Sequence, residues 1–119
     1  RYSQERVQFE KPINSFQAIQ HKLADLRIIQ EAIRMAVYRV ACDKDSGKPL
    51  NHMHTSIAKA VAGDWGIRAA SDAVQIFGGY GFIHDYPVER FLRDAKIAQI
   101  GGGTSEIQRF IISRILSLF

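Results

Sequence analysis

Hydrophobic residues step along the first half of the chain by threes and fours: Phe16, Ile19, Leu23, Leu26, Ile29, Ile33, Val37 and Val40, with polar residues between them. That period lays them along one side of an α-helix. It predicts an amphipathic helix over about 16–43, with a stripe that must bury against another element. Asp45-Ser46-Gly47-Lys48-Pro49 breaks the pattern with turn formers. A second stripe, Ile57, Ala60, Val61, Asp64, Ile67, Ala70, Val74 and Phe77, predicts a helix over about 51–77. Small residues crowd it, among them Ala58, Gly63, Gly66 and Ala69, and small residues let helices approach closely. Two long helices joined by a short turn predict an antiparallel pair, the unit of a bundle.

The flanks read less regularly. Tyr2, Arg6 and Phe9 recur at helical spacing, so residues 1–10 read as the end of a helix. Pro12 stops that pattern, and Asn14, with Gln17 three residues on, is the expected cap of the next helix. Gly78-Gly79-Tyr80-Gly81 ends the second long helix. Asp85-Tyr86-Pro87 opens a shorter one to about Ala95, with Pro87 at its first position. A last helix follows Thr104, with Ile107, Ile111, Ile115 and Leu118 on one side. No run alternates with the period of a strand. The expected fold is all-α, an up-and-down bundle of four to five helices forming a single domain over residues 1–119.

Composition narrows the class. Hydrophobic residues at 46% and charged residues at 24% are the balance of a soluble globular domain. No apolar run approaches the ~18 residues of a membrane span. The start is not a signal peptide, because no apolar stretch follows its charges. It carries no initiator Met and reads as a helix entered in the middle, so the chain is read as part of a longer protein. Cys42 is the only cysteine, which excludes an internal disulfide and a Cys-x-x-Cys zinc site. The net charge of +4 permits an anionic partner: nucleic acid, a phosphate-bearing cofactor or coenzyme A. The basic residues are spread rather than striped, which argues against nucleic acid. His52 and His54 lie two apart and point to different sides of a helix, while His21 and His84 are isolated. No metal site is expected. Trp65 is expected in the core or an interface, and Arg90 and Arg93 with Glu89 and Asp94 on a salt-linked helix face.

Chemistry concentrates in Ile100-Gly101-Gly102-Gly103-Thr104-Ser105-Glu106-Ile107-Gln108. Three glycines precede a helix start that Thr104 or Ser105 can cap, and Ser105 with Gln108 fits a capping box. Glycines there let a ligand approach the backbone, with N–H donors and a partial positive charge facing it. The competing reading is a plain helix–helix connector.

Three blocks resemble the C-terminal helical domain of the acyl-CoA dehydrogenases. Arg6-Val7-Gln8-Phe9-Glu10-Lys11-Pro12-Ile13 with Phe16-Gln17 is similar to the family's R-x-Q-F-G-x-P-I-x-x-F-Q. Ala73 through Phe82 is similar to its A-V-Q-x-x-G-G-x-G-Y/F. Tyr86-Pro87-Val88-Glu89-Arg90, through Arg93-Asp94-Ala95-Lys96 to Gly103-Thr104-Ser105-Glu106-Ile107-Gln108, is similar to its last segment. The blocks run nearly end to end, in the family's order. The resemblance implies the C-terminal part of an FAD enzyme that removes the α-proton of an acyl-CoA thioester while the β-hydride goes to the flavin. The electrons then pass to an electron-transfer flavoprotein, and the enzyme is a homo-oligomer, tetramer or dimer. Location would be cytoplasmic in a prokaryote and the mitochondrial matrix in a eukaryote.

Residue by residue, Arg6 resembles the arginine that meets FAD phosphates, commonly across a subunit boundary. Its fork of donors suits phosphate oxygens. Gln8 and Phe9 would line the adenosine side, and Gln17 resembles another FAD contact. Gln75, Ile76, Phe77, Gly78 and Gly79 resemble the segment wrapping the pyrophosphate and adenine half. A plain helix C-cap at these glycines is compatible with that role. Thr104, Ser105 and Glu106 resemble the segment against the flavin, and Gly102 and Gly103 would face the acyl-CoA.

Three positions depart from the family. Many members read I-Y-E-G-T at the loop, where the glutamate takes the α-proton. Here Gly101 and Gly102 replace the tyrosine and the glutamate, and glycine cannot accept a proton. The loop is similar to that of the isovaleryl-CoA and long-chain branches, whose base comes from an earlier helix. That would lie before Arg1 and leave no catalytic residue in this chain. The alternatives are a non-dehydrogenating relative, such as the family's DNA-binding flavoprotein, and a cofactor-free helical module. Losing both side chains also opens room for a branched acyl chain. Glu10 stands where glycine is usual, placing an acid near the expected phosphates.

Overall fold

A computed structural model describes residues 1–117; Leu118, expected on the last helix, lies outside them. Two long helices, α2 (Gln17–Asp45) and α3 (His52–Phe77), form the pair that the periodicity predicts. The side-chain contacts Lys22–Asp72, Arg68–Asp25 and His54–Asp43 occur in opposite order along the two helices, so the pair is antiparallel. Two shorter helices complete the bundle, α4 (Val88–Ile100) and α5 (Ser105–Leu116). α3 is central: α2, α4 and α5 all pack on it. Its small residues allow this. A Cβ on Gly63 would meet the Ala98 carbonyl oxygen at 3.0 Å and Ser105 Oγ at 3.3 Å, so α3 lies nearly in backbone contact with the α4–α5 junction.

Helix ends follow their residues. Asn51 caps α3, its side chain accepting from the N–H groups of Met53 (3.0 Å) and His54 (3.2 Å). Gly78, at φ 60°, ends α3 in the left-handed region that glycine enters at little cost. Thr104 caps α5 through the Ile107 N–H at 3.2 Å.

The N-terminal segment departs from the helix end that its spacing predicts. The first helix, α1, is only Tyr2–Glu5. Val7–Gln8 (β1) and Lys11–Pro12 (β2) then pair antiparallel, Val7 opposite Pro12 and Gln8 opposite Lys11. The hairpin turns at Phe9 and Glu10, both with positive φ (51° and 63°), the geometry of a two-residue turn. Strands of two residues carry no readable period. Asn14 is likewise not a cap: Ile13–Ser15 is a 3-10 turn, and α2 starts at Gln17 with Phe16 before it. Proline at 12 keeps the chain extended there, and burial of Ile13 takes the turn inward. Pro87 stands just before α4 rather than inside it, and α4 runs past Ala95 to Ile100.

Candidate functional site

The corner after α3 holds a cleft of about 440 Å³, lined among others by Arg6, Gln8, Ile76, Phe77, Gly78 and Gly79. All six are sequence-expected cofactor residues. The hairpin, closed at its base by the Ile13 N–H donating to the Arg6 carbonyl at 2.9 Å, sets Arg6 and Gln8 beside the end of α3. Aromatic packing fixes the wall. Tyr2 stacks on Phe77 with centroids 3.9 Å apart, and Tyr86 lies edge-on to both. Burial pushes the Tyr2 phenol up, against the pull of the Arg6 cation. It is therefore a neutral donor, 3.4 Å from the Phe77 carbonyl. The Arg6 guanidinium lies 5.0 Å from the Tyr80 ring centre and has no carboxylate partner among the described residues. A Cβ on Gly78 or Gly79 would meet nothing within 4 Å, so this backbone is open to a ligand. Gly81 closes the corner, since a Cβ there would lie 2.5 Å from the Val74 carbonyl oxygen.

The fold does not bring Phe9, Gln17 or Gln75 into this cleft. Phe9 is 86% exposed, and its ring meets the edge of Phe16 instead. Gln17 is exposed at the start of α2, and Gln75 is exposed with its carbonyl bonded to the Gly78 N–H.

The glycine loop forms a second station. It packs beside Lys59 and Gly63, whereas the cleft is at Phe77. The fourteen residues from Gly63 to Phe77 put it about 20 Å away along α3 at 1.5 Å per residue. Gly102 and Gly103 have φ of 69° and 95°. The amides of Gly102, Gly103, Thr104 and Ser105 take no partner among the described residues. The side chains of the segment are occupied otherwise than the sequence suggests. Ser105 is 5% exposed, and its hydroxyl donates to Asp64 Oδ1 at 2.8 Å, so it faces the bundle. Gln108 reaches back to the Gly103 carbonyl rather than boxing Ser105. Glu106 has its carboxyl held low by its own backbone N–H first and by the Thr104 hydroxyl second. It is ionised and contacts backbone.

Two residues at this station escaped sequence reading. Lys59 donates to the Ala98 carbonyl in the last turn of α4. Asp64 accepts from Gln99 (2.9 Å), Ser105 (2.8 Å) and Arg109. Its carboxyl is lowered from 3.8 to about 2, chiefly by the Arg109 bond and next by the Gln99 bond. The available signal was an acid in register with an apolar stripe, which must find donors inside the fold. Among the described residues no three His, Cys, Asp or Glu side chains are grouped to hold a metal. No described helix is long and apolar enough to cross a membrane.

These features define a helical-bundle domain whose central helix serves a ligand-sized cleft at one end and a glycine-lined station farther along. Residues 1–117 match the model of the acyl-CoA dehydrogenase C-terminal domain, and the chain belongs to that family. It is 52% identical over 110 residues to the short-chain-specific acyl-CoA dehydrogenase of Megasphaera elsdenii, covering 92% of this chain and 28% of that protein. The structure of butyryl-CoA dehydrogenase from the same organism superposes with TM-score 0.93 and 50% identity, over 98% of this chain and 30% of that one. A chain in a structure described as the electron transferring flavoprotein of Acidaminococcus fermentans superposes with TM-score 0.92 and 47% identity, over 97% and 30%. The chain thus spans less than a third of the length of these relatives.

Proposed function

We propose that this chain is the FAD-binding and oligomerising C-terminal domain of an acyl-CoA dehydrogenase acting on an acyl-CoA thioester. The observation that carries the proposal is Arg6: a guanidinium without a carboxylate partner among the described residues, in a cleft floored by the open backbone of Gly78 and Gly79. A fixed fork of donors beside exposed glycine backbone suits a pyrophosphate. Gln8 and the apolar side of Ile76 suit the adenosine next to it. When bound, FAD supplies the acceptor for the β-hydride of the thioester. The separation of about 20 Å between the two stations agrees with a site completed across a subunit boundary. The cleft then serves one cofactor and the glycine loop of the same chain serves another.

At the loop, the amides of Gly102 to Ser105 have no partner among the described residues and are available as donors, and Thr104 caps the first turn that follows. No carboxylate of this segment is placed as a base, since Glu106 is bonded to backbone and held low. The α-proton therefore goes to a carboxylate from a helix upstream of this chain. Gly101 and Gly102 leave room for a branched acyl group over the flavin. Electron transfer to an electron-transfer flavoprotein and a cytoplasmic location complete the proposal, and the relatives compared are bacterial.

The test uses the full-length protein. Purified protein should carry an FAD spectrum that bleaches on adding acyl-CoA, and isovaleryl-CoA should bleach it at least as fast as butyryl-CoA. Arg6→Ala should lower retained FAD at least tenfold with the fold intact. Bound flavin that no acyl-CoA bleaches, or an Arg6→Ala protein that retains its flavin fully, overturns the proposal. A clear preference for short straight chains overturns the wide-pocket part.

A further inference from the structure

We propose that Asp64 is the positioning residue of the glycine loop, holding both of its ends from the side of α3. Three consecutive glycines, two at positive φ, make a segment with little intrinsic order. Its ends, however, are stapled to one carboxylate. Gln99, two residues before Gly101, donates to Oδ1 at 2.9 Å. Ser105, two residues after Gly103, donates to the same oxygen at 2.8 Å. Arg109, one turn further into α5, donates to Oδ2. The neighbouring positions belong to the same device. Gly63 admits the Ala98 carbonyl and Ser105 Oγ so closely that a Cβ would crowd both. Lys59, one turn earlier on α3, bonds the Ala98 carbonyl, and its Cε lies 3.7 Å from where a Gly102 Cβ would stand. Ordinary helix packing needs none of these polar contacts, because α3 and α5 could pack through apolar residues alone. Their convergence on the two ends of one loop serves the loop's geometry. A wall of a reaction site displaced by ~1 Å can cost two orders of magnitude in rate, so a glycine wall needs such a hold.

The inference rests on the proposed reading that this loop faces the acyl thioester, and the experiment separates the two. In the full-length protein, Asp64→Asn, Ser105→Ala and the double variant are compared with wild type by hydrogen exchange of peptides 97–106 and 76–82. Flavin bleaching by butyryl-CoA and isovaleryl-CoA is measured alongside. Asp64→Asn should raise exchange at 97–106 at least tenfold, with 76–82 within twofold and flavin content unchanged. The double variant should exchange no faster than Asp64→Asn, because Ser105 acts through the same carboxylate. The bleaching rate at saturating acyl-CoA should fall at least tenfold, with KM within threefold. Unchanged exchange at 97–106, or an equal rise in both peptides, overturns the positioning role. Local loosening with an unchanged bleaching rate keeps the hold on the loop and overturns its placement at the thioester. Ser105→Ala keeps the Asp64–Arg109 pair; if Asp64→Asn does not fold, a local rise of about threefold in Ser105→Ala supports the role and no rise overturns it.

Discussion

Glu10 occupies a backbone position that a side chain resists. At φ 63°, beside Phe9 at 51°, it holds a left-handed conformation that costs a non-glycine residue about 1–2 kcal/mol. Glycine removes that strain and gives back part of it as unfolded-chain entropy. Glu10→Gly should therefore stabilise the domain by about 0.5–1 kcal/mol in chemical denaturation. No gain would mean that the hairpin relaxes around Glu10. Asp64 sets a pH dependence of known sign. Its carboxyl is lowered from 3.8 to about 2, so its contribution is present above pH 4 and is lost as the pH falls towards 2. The depression corresponds to roughly 2 kcal/mol at most. The exposed Arg109 side of the pair is screened by water, so about 1 kcal/mol is expected. The stability gap between wild type and Asp64→Asn should shrink by more than half of that amount between pH 6 and pH 2.5. A gap that widens on acidification would contradict the bond pattern. Arg6 was legible only through the motif around it, because its helical spacing with Tyr2 and Phe9 marks a helix face and not a ligand. Asp64 is hidden by its own periodicity, since it falls in register with the apolar stripe of α3.

Among the elements, α3 carries most of the organisation. Its N-terminal end is held by Asn51, far from the cleft, and its C-terminal end becomes the cleft floor at Gly78. Asn51→Ala should cost about 1 kcal/mol of stability, the ordinary worth of a lost N-cap, while full-length protein keeps its flavin content. Flavin loss with that change would show the two ends of α3 to be coupled. The long helices were legible because each runs for seven or more turns with an apolar period along most of it. The hairpin was not, since a two-residue strand is set by its turn and by the burial of Ile13 rather than by any pattern of its own.

At the scale of the molecule the surface is too large for the mass. The exposed area is 8400 Å², against about 6,500 Å² expected for a monomeric globule of this size. The radius of gyration is 17.6 Å, against about 13.5 Å. The extents of 58 × 25 × 24 Å describe a rod, and no large side chain among the described residues is fully buried. Met35 and Tyr38 on α2, Phe91 on α4 and Phe110 on α5 are all half exposed or more. An excess of roughly 2,000 Å² is on the scale of a stable interface. Full-length protein should sediment as a dimer or tetramer, and aspartates at Met35 and Tyr38 should shift it towards monomer. A wild-type monomer at micromolar concentration would count against the oligomerising role.

The glycine loop divides what sequence and fold each determined. Local order along the chain carried the two long helices, their turn, the cap at Thr104, and the family blocks, because propensity, capping and period act between near neighbours. Gly101 and Gly102 already leave the loop without a side chain that could accept a proton. Only the tertiary structure decided that Arg6 and Gln8 meet Gly78 and Gly79 in one cleft while Phe9, Gln17 and Gln75 stay outside it. It alone showed that Ser105 turns inward to Asp64, and that this carboxylate holds residues 99, 105 and 109 together. Those contacts join residues some forty positions apart. They exist because the small residues of α3 let the α4–α5 junction come within reach of a single side chain.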